Sequence, residues 1–172
     1  MLFRNAQEKD ISRMMEMVNQ SKASMKARGI DQWQQGYPNE TVLREDLEKG
    51  ISYVLEDQGQ VVGMITVASG DEEAYRKIDG SWLNQEPYVS YHRVCVEEDR
   101  KGQGLAGILF EEGEKLCREW GFKNIRNDTH PDNHSMQRAV EKFGFKRCGI
   151  IYIVGTEEDG SPRAAYQKVL ND

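Results

Sequence analysis

The sequence predicts a mixed α/β domain, and two observations along its 172 residues support that prediction. Stretches in which apolar residues alternate, as in strands, are interspersed with stretches in which they recur at helical spacing. Between Val94 and Ala106, a β-branched strand leads through charged residues and glycines directly into a helix. The length suits one domain with a substantial core, so we expect residues 1–172 to form a single domain.

The first half of the chain predicts one strand, two helices and a hairpin. Asp10 can cap a helix whose apolar residues follow helical spacing, and Gly29 marks its end. The turn Asp57-Gln-Gly-Gln60 separates two alternating stretches and predicts an antiparallel hairpin. The elements are expected at residues 2–5 (strand), 10–29 and 41–49 (helices), and 51–55 and 61–68 (hairpin strands).

The second half predicts a central strand, two helices and three further strands, which gives six or seven strands and four helices in total. Gly121 and Gly144 end the two helices. The elements are expected at residues 88–96 (central strand), 105–120 (helix), 122–129 (parallel strand), a helix up to Phe143, and 145–154 and 163–170 (antiparallel pair). Regular alternation along the central strand would place Ser90, His92, Val94 and Val96 on one face, and Tyr91, Arg93 and Cys95 on the other.

The turn after the central strand predicts a phosphate site. Gly102 and Gly104 leave the backbone without side chains just where the helix begins. Unpaired amide N–H groups and the positive end of the helix dipole therefore point into one concavity. Helix starts of this kind bind phosphate groups, so the sequence predicts a phosphate-bearing ligand.

One alternative for this turn is a dinucleotide site. Gly102, Gly104 and Gly107 spell the G-x-G-x-x-G fingerprint, and Asp128 lies near the offset of its ribose-binding acid. In that fold, however, a buried strand leads almost directly into the first glycine, whereas charged residues intervene here. No run of alternating strands and helices precedes the motif. An enzyme that uses NAD or NADP is therefore the least favoured alternative.

Two segments of the chain resemble the GNAT acetyltransferases. Lys101-x-x-Gly104-x-Ala106 is similar to the acyl-CoA pyrophosphate loop of that family, usually [Gln/Arg]-x-x-Gly-x-[Gly/Ala], with Lys101 at the Gln or Arg position. The segment from Asn133 to Phe145 resembles the family's Asn-x-x-Ala-x-x-Leu-Tyr-x-Lys-x-Gly-Phe pattern. The residues in register are Asn133, Lys142, Gly144 and Phe145.

The resemblance implies a fold, a cosubstrate and its contacts. The fold would be a twisted, largely antiparallel sheet whose fourth and fifth strands run parallel and part to admit acetyl-CoA. For Asn133, which the resemblance implies as a contact of acetyl-CoA, the alternative is a helix cap, because it lies just before a predicted helix. Val140 stands where many members carry a tyrosine that protonates the leaving thiolate, so that role is unassigned. The residues implied to bind acetyl-CoA are Val94, Val96, Lys101, Gly102, Gln103, Gly104, Leu105, Ala106 and Asn133.

Acetyl transfer to an amine requires a base and a donor for the developing oxyanion. His92 is the candidate base, because a histidine pKa of about 6.5 suits proton removal at neutral pH. The resemblance supports it, since several members place a base on this strand. The alternative is a histidine that merely packs at the strand. The backbone N–H of Val94 is the candidate oxyanion donor.

Two loops are candidates for the acceptor side. Large aromatic residues in polar loops require a reason, and Trp33, Tyr37 and Trp82 are of this kind. They either cap the core or, as the resemblance implies for the region around Trp33, form a wall of the acceptor pocket. The insertion at residues 69–87 is too long for a hairpin turn and is a candidate lid.

Composition narrows the function classes. A net charge of −6 argues against general nucleic-acid binding, and no apolar run approaches the roughly 18 residues of a membrane helix. We therefore expect a cytoplasmic protein that contacts neither nucleic acid nor membrane. The three cysteines, Cys95, Cys117 and Cys148, form no metal or disulfide pattern, and Pro131 argues against a metal site at His130 and His134. We expect no metal.

The sequence thus predicts an acetyl-CoA-dependent N-acetyltransferase. Its acceptor would be a small-molecule or peptide amine that attacks directly in a ternary complex, without an acetyl-enzyme. The alternative from another class is a non-catalytic acyl-CoA-binding or sensor module of the same fold, which Val140 makes conceivable. The acceptor and the oligomeric state stay open, with a homodimer as one possibility.

Overall fold

The computed structural model describes all 172 residues, in which eight strands form one sheet flanked by four helices. In sheet order the strands are β1-β2-β3-β5-β6-β8-β7-β4. Only the neighbours β5 and β6 run parallel. The strands are β1 (Leu2–Asn5), β2 (Ser52–Asp57), β3 (Gln60–Ser69), β4 (Asp79–Gly80), β5 (Val89–Val96), β6 (Asn124–Thr129), β7 (Lys146–Tyr152) and β8 (Pro162–Val169). The helices are α1 (Ile11–Ala27), α2 (Glu40–Glu48), α3 (Leu105–Glu119) and α4 (His134–Lys142).

The predicted mixed sheet with a parallel fourth and fifth strand is confirmed, but the strand count is eight instead of six or seven. The additional strand is β4, two residues of the insertion that pair with β7. At this crossing a Cβ on Gly80 would lie 2.2 Å from the backbone oxygen of Cys148. Because glycine is depleted in strands, a pairing made by Gly80 and Gly149 leaves no strand signal in the sequence.

The parallel strands β5 and β6 part after a short contact. They pair only at Val89 with Ile125 and at Ser90 with Arg126. Beyond these pairs β5 runs on to Val96 and β6 to Thr129, each with its own antiparallel partner on the outer side. The sheet therefore opens into a gap between its two central strands, as expected.

A β-bulge in β5 changes the predicted alternation of side chains. Met64 pairs with Cys95 and Thr66 with His92, so Arg93 and Val94 together oppose one residue of β3. Arg93 adopts a φ of 50° at this position, as bulged residues do when the backbone turns. Val94 and Val96 consequently pack with Tyr91 against the α3 side. The prediction that His92 shares a face with the two valines is wrong for this reason.

The helices cover the sheet in two layers. Residues of α3 and Val140 of α4 belong to the larger core cluster, whereas α1 and Leu43 of α2 form a second cluster on the opposite face. Gly113 lets α3 approach β5 closely, because a Cβ there would lie 2.7 Å from the Tyr91 ring. This packing fixes the start of α3 beside the gap. No helix has both the length and the apolar character needed to cross a membrane.

Candidate functional site

The gap between β5 and β6 opens into a cleft of about 1260 Å³. Its lining falls into two parts. The basic half consists of residues from the glycine turn at 100–107 and from α4. The acidic half includes His92, Asp128 of β6, and residues from the loop at 32–37, from α2, from the insertion after β3 and from the hairpin that joins β7 to β8.

The basic half presents backbone donors. Gly102 and Gly104 have φ values of 81° and 79°, which L side chains rarely adopt, and a Cβ on either would point into open space. The amide N–H groups of Gly102, Gly104, Leu105, Ala106 and Gly107 donate to no acceptor in the protein. They lie around the start of α3, where the helix dipole adds positive potential. This arrangement can bind a phosphate group.

Cations reinforce these amides, and no carboxylate lines this half of the cleft. Arg138 and Lys142 of α4 form no ion pair, whereas Lys101 pairs with Glu98 and Arg100 with Asp57. The cations that line the basic half are Arg100, Lys101, Arg138 and Lys142. An anionic ligand is therefore attracted both by backbone dipoles and by side-chain charge.

Most of the residues predicted to bind the cosubstrate line this cleft. Those that do are Val94, Val96, Lys101, Gly102, Gly104, Leu105, Ala106 and Asn133. Gln103 is the exception, because it does not line the cleft. Its side-chain oxygen accepts from Arg100 Nε at 2.7 Å, and its amide N–H donates to the Arg100 carbonyl, so both groups are used within the turn.

Asn133 caps α4, as its position predicted. Its side-chain oxygen accepts from the Met136 amide at 3.3 Å, and its Nδ2 donates to Gln32 at 3.3 Å. The residue is buried and also lines the cleft. A cosubstrate contact through the same side chain remains a prediction.

His92 lies in the acidic half and is paired with a residue that the sequence did not single out. Its Nε2 is 2.6 Å from Glu72 Oε1, which also accepts from Ser90 Oγ at 2.8 Å. Burial raises the pKa of Glu72, but the hydrogen bonds and the charge of His92 outweigh burial and lower that pKa to about 2. Glu72 is thus a carboxylate at neutral pH, and an ionised carboxylate only accepts hydrogen bonds.

Arg93, the residue after His92, links α2 to the loop that carries Tyr37 in the acidic half. Its guanidinium forms two hydrogen bonds to Asp46 of α2, at 2.6 and 2.9 Å, and a third to Tyr37 Oη at 2.6 Å. Both Arg93 and Asp46 have little exposed side chain. The bulge directs Arg93 to this pair, and the pair fixes the loop that carries Tyr37.

Trp33 is held at the same end by a second buried ion pair. Its amide donates to Glu158 Oε2 at 3.1 Å, and the same oxygen accepts from Arg163 at 2.6 Å. Trp33 and Tyr37 both line the cleft. Whether either contacts an acceptor remains a prediction.

The insertion contributes Tyr75 to the cleft wall. Tyr75 Oη donates to Asp128 Oδ2 of β6 at 2.6 Å. Burial and the carboxylates of Asp128 and Glu72 raise the pKa of Tyr75 well above its ordinary value, so the phenol stays protonated. For Asp128 the sequence predicts only the role of the ribose-binding acid in a dinucleotide fingerprint. The mostly antiparallel sheet and this bond to Tyr75 do not fit that role.

Trp82 lies outside the cleft, contrary to the prediction for it. It packs on Tyr75 and, with Tyr88, sandwiches the Arg126 guanidinium at 4.1 and 4.2 Å. The insertion folds back onto the outer part of the sheet, so that Trp82 faces a separate cavity of about 320 Å³. Its role is to hold the insertion on the sheet.

The Cys95 thiol is buried and stays protonated at neutral pH. Burial raises the pKa of the Cys95 thiol to about 12, and its Sγ lies 3.4 Å from Ser21 Oγ. The structure brings no three His, Cys, Asp or Glu side chains close enough to hold a metal ion.

The acidic half contains the residues that sequence reasoning missed. Glu72, Asp46 and Glu158 come from three separate segments, and each is recognisable only through its partner in the fold. The acidic character of the insertion was the single available signal for Glu72. The cleft therefore contains a phosphate-binding turn at one end and the His92–Glu72 pair at the other. We call this turn, with its unpaired amides at residues 102 and 104–107, the phosphate seat.

The comparisons with known proteins agree with this geometry. The acetyltransferase (GNAT) family matches residues 13–145. A GNAT acetyltransferase structure from Streptococcus agalactiae 2603 is 30% identical, with a TM-score of 0.87 over 99% of this chain and 96% of that one. No curated protein sequence matches.

More distant structures share the fold. A ribosomal-protein-alanine N-acetyltransferase from Brucella melitensis is 20% identical, with a TM-score of 0.71 over 99% of this chain and all of that one. The Salmonella typhimurium protein yncA, determined with its cofactor acetyl-CoA, is 17% identical, with a TM-score of 0.69 over 100% and 95% of the two chains. Since the family match covers most of the chain and agrees with the parted strands and the glycine turn, the protein belongs to the GNAT acetyltransferase family.

Proposed function

We propose that the protein transfers an acetyl group from acetyl-CoA to a primary amine of a small-molecule or peptide acceptor. The unpaired amides at the start of α3 would hold the pyrophosphate of CoA, and the cations of the basic half would add to its affinity. The pantetheine arm would then run along Val94 and Val96 into the gap between β5 and β6. This route brings the thioester to the acidic half.

His92 is the proposed general base, and Glu72 sets its tautomer. Because ionised Glu72 accepts from Nε2, the proton of the neutral imidazole lies on Nε2 and the lone pair on Nδ1. Nδ1 forms no hydrogen bond in the structure. It is free to take a proton from the acceptor amine, directly or through one water.

The attack would be direct, within a ternary complex. The amine nitrogen adds to the thioester carbonyl, whose oxygen becomes negative and is stabilised by the N–H of Val94. Glu72 and Asp128 pair with no arginine or lysine and would attract an ammonium group to this end, and Trp33 and Tyr37 would form a wall for the rest of the acceptor. No acetyl-enzyme is required, in keeping with the raised pKa of Cys95.

The observation that carries this proposal is the His92–Glu72 pair, which shares one cleft with the glycine turn. A non-catalytic acyl-CoA-binding module needs the turn but has no use for a histidine held by a carboxylate at the parting of the strands. The pair therefore favours catalysis over binding alone.

A binding titration followed by a turnover assay tests the proposal. Calorimetry with acetyl-CoA, CoA and NAD should show binding of the first two only, and thiol release over a panel of amines should identify an acceptor. His92→Ala should then lower turnover at neutral pH by about 100-fold or more and keep the affinity for CoA. Binding of NAD alone would contradict the assignment, and unchanged turnover in His92→Ala would remove that residue from the mechanism.

A further inference from the structure

Two polar side chains of β6 face the cleft without any partner. Asn127 and Thr129 are 6% and 3% exposed, and both line the cleft. Asn127 Oδ1 and Thr129 Oγ1 are buried atoms that form no hydrogen bond. A buried polar group without a partner costs about 1–3 kcal/mol, so a ligand that hydrogen-bonds either side chain is favoured at this position.

The regular geometry of β6 tells which part of the cleft they face. β6 pairs with β8 from Asn124 to Thr129 without a bulge, so Ile125, Asn127 and Thr129 share one face. Ile125 belongs to the core cluster of α3, against which Val94 and Val96 of β5 also pack. Asp128 points to the opposite face, toward Tyr75. Asn127 and Thr129 therefore lie on the side of the gap from which α3 and its glycine turn approach.

The neighbouring helix offers the cleft no hydroxyl at this depth. Val140 is 1% exposed and belongs to the core, and α4 contributes Met136, Ala139 and Phe143 as its apolar lining. Ser135 Oγ, at the start of α4, is already bonded to Asn133 and Arg28. Thr129 thus offers a buried hydroxyl on this side of the cleft that is free to donate.

We propose that Thr129, through its hydroxyl, and Asn127, through its Nδ2, donate hydrogen bonds to the sulfur of acetyl-CoA and stabilise the thiolate that leaves, since an amide oxygen only accepts. This inference rests on the proposed function. In the reaction the amine nitrogen forms a bond to the acetyl carbon, and the C–S bond breaks with its electron pair on sulfur. The amine's proton passes to His92, and the thiolate, held by the two β6 side chains, later takes a proton from solvent. No hydroxyl from position 140 is needed.

The test compares CoA with desulfo-CoA, in which hydrogen replaces the thiol, and needs no knowledge of the acceptor. Calorimetry at pH 7.5 and pH 9.5 is done on the wild type and on Thr129→Val, Thr129→Ser and Asn127→Leu. The valine and leucine side chains keep the shape and remove the polar groups. Retained binding of desulfo-CoA shows that each variant is folded and that the pyrophosphate seat is intact.

The wild type should prefer CoA over desulfo-CoA, and by about tenfold at pH 9.5, where the thiol ionises, because hydrogen bonds to a charged group are the stronger ones. Thr129→Ser should keep this preference, whereas Thr129→Val or Asn127→Leu should lower it toward one. An unchanged preference in both of the latter variants would overturn the inference. Failure of the wild type to bind either compound would instead contradict the proposed function.

Discussion

The two halves of the cleft are built by opposite means. The basic half is made of backbone: five unpaired amides gather around two glycines, and its lining cations lie at the surface. The acidic half is made of side chains that hold one another, namely Glu72 with His92, Asp46 with Arg93, and Asp128 with Tyr75. The first should be sensitive to backbone conformation, and the second to the loss of single side-chain partners.

The largest effect is expected where a buried partner is removed from the acidic half. Asp46→Ala leaves the Arg93 guanidinium buried without its carboxylate, which should lower the free energy of unfolding by about 3–5 kcal/mol. Chemical denaturation measures this difference. Arg44→Ala is the control, because Arg44 pairs with Glu40 at the surface and should change stability by less than about 1 kcal/mol.

Equal losses in Asp46→Ala and Arg44→Ala would mean that solvent reaches the Asp46–Arg93 pair. The acidic half would then not depend on that pair, and the contrast between the halves would fail.

The next largest effect should come from the backbone of the basic half. Gly104 and Gly121 lie at the two ends of α3 with φ values of 79° and 80°, and both face open space. Alanine at either position should lower stability by a similar amount, about 1 kcal/mol. Only Gly104→Ala should weaken CoA binding, by about 10- to 100-fold, because its methyl group enters the space of the phosphates.

Calorimetric titration of both glycine variants with CoA separates these effects. Because alanine causes the same backbone strain at both positions, a difference in CoA affinity between the two variants is due to the phosphate seat alone. Equal affinity in Gly104→Ala and Gly121→Ala would place the phosphates elsewhere.

The same contrast explains what the sequence could reveal. The phosphate seat is local: Val94 to Ala106 contains the strand, the turn and the helix start that build it, so it could be predicted from one stretch. Periodicity likewise predicted the four helices, whereas the parting of the two strands was implied by the resemblance to the GNAT family. The acidic half is assembled from segments far apart in the chain, such as Glu72 with His92, and no local pattern records such pairs.

The bulge at Arg93 shows why even a well-placed residue can be misjudged. Regular alternation grouped His92 with Val94, but one residue with a positive φ shifts every later side chain of β5 to the other face. Arginine rarely adopts a positive φ, so the presence of Arg93 in the sequence does not indicate a bulge. The bond to Asp46, which is formed only in the fold, compensates for the strained backbone.

The Glu72→Gln variant tests the Glu72–His92 pair of the acidic half, and its expected effect on stability is of intermediate size. Its folded pKa of about 2 lies below the ordinary value, so its contribution to stability is present above about pH 4.3 and is lost as pH falls toward 2. The unfolding free energy of the wild type should therefore drop more between pH 5 and pH 2 than that of Glu72→Gln, by about 1–2 kcal/mol. Denaturation at both pH values tests this, and parallel pH profiles would show that Glu72 is not held by His92.

The smallest effect is expected for Lys101, the residue that departs from the usual motif of the glycine turn. Its ammonium lies 2.8 Å from Glu98, so its charge is already partly engaged, and the amides that face the phosphates belong to the following residues. Lys101→Gln should therefore change the affinity for CoA by less than about threefold, the size of one exposed ion pair. Calorimetry at low, physiological and high salt checks this. A tenfold loss that disappears at high salt would show that the basic half binds through side-chain charge, and the distinction between a backbone half and a side-chain half would have to be given up.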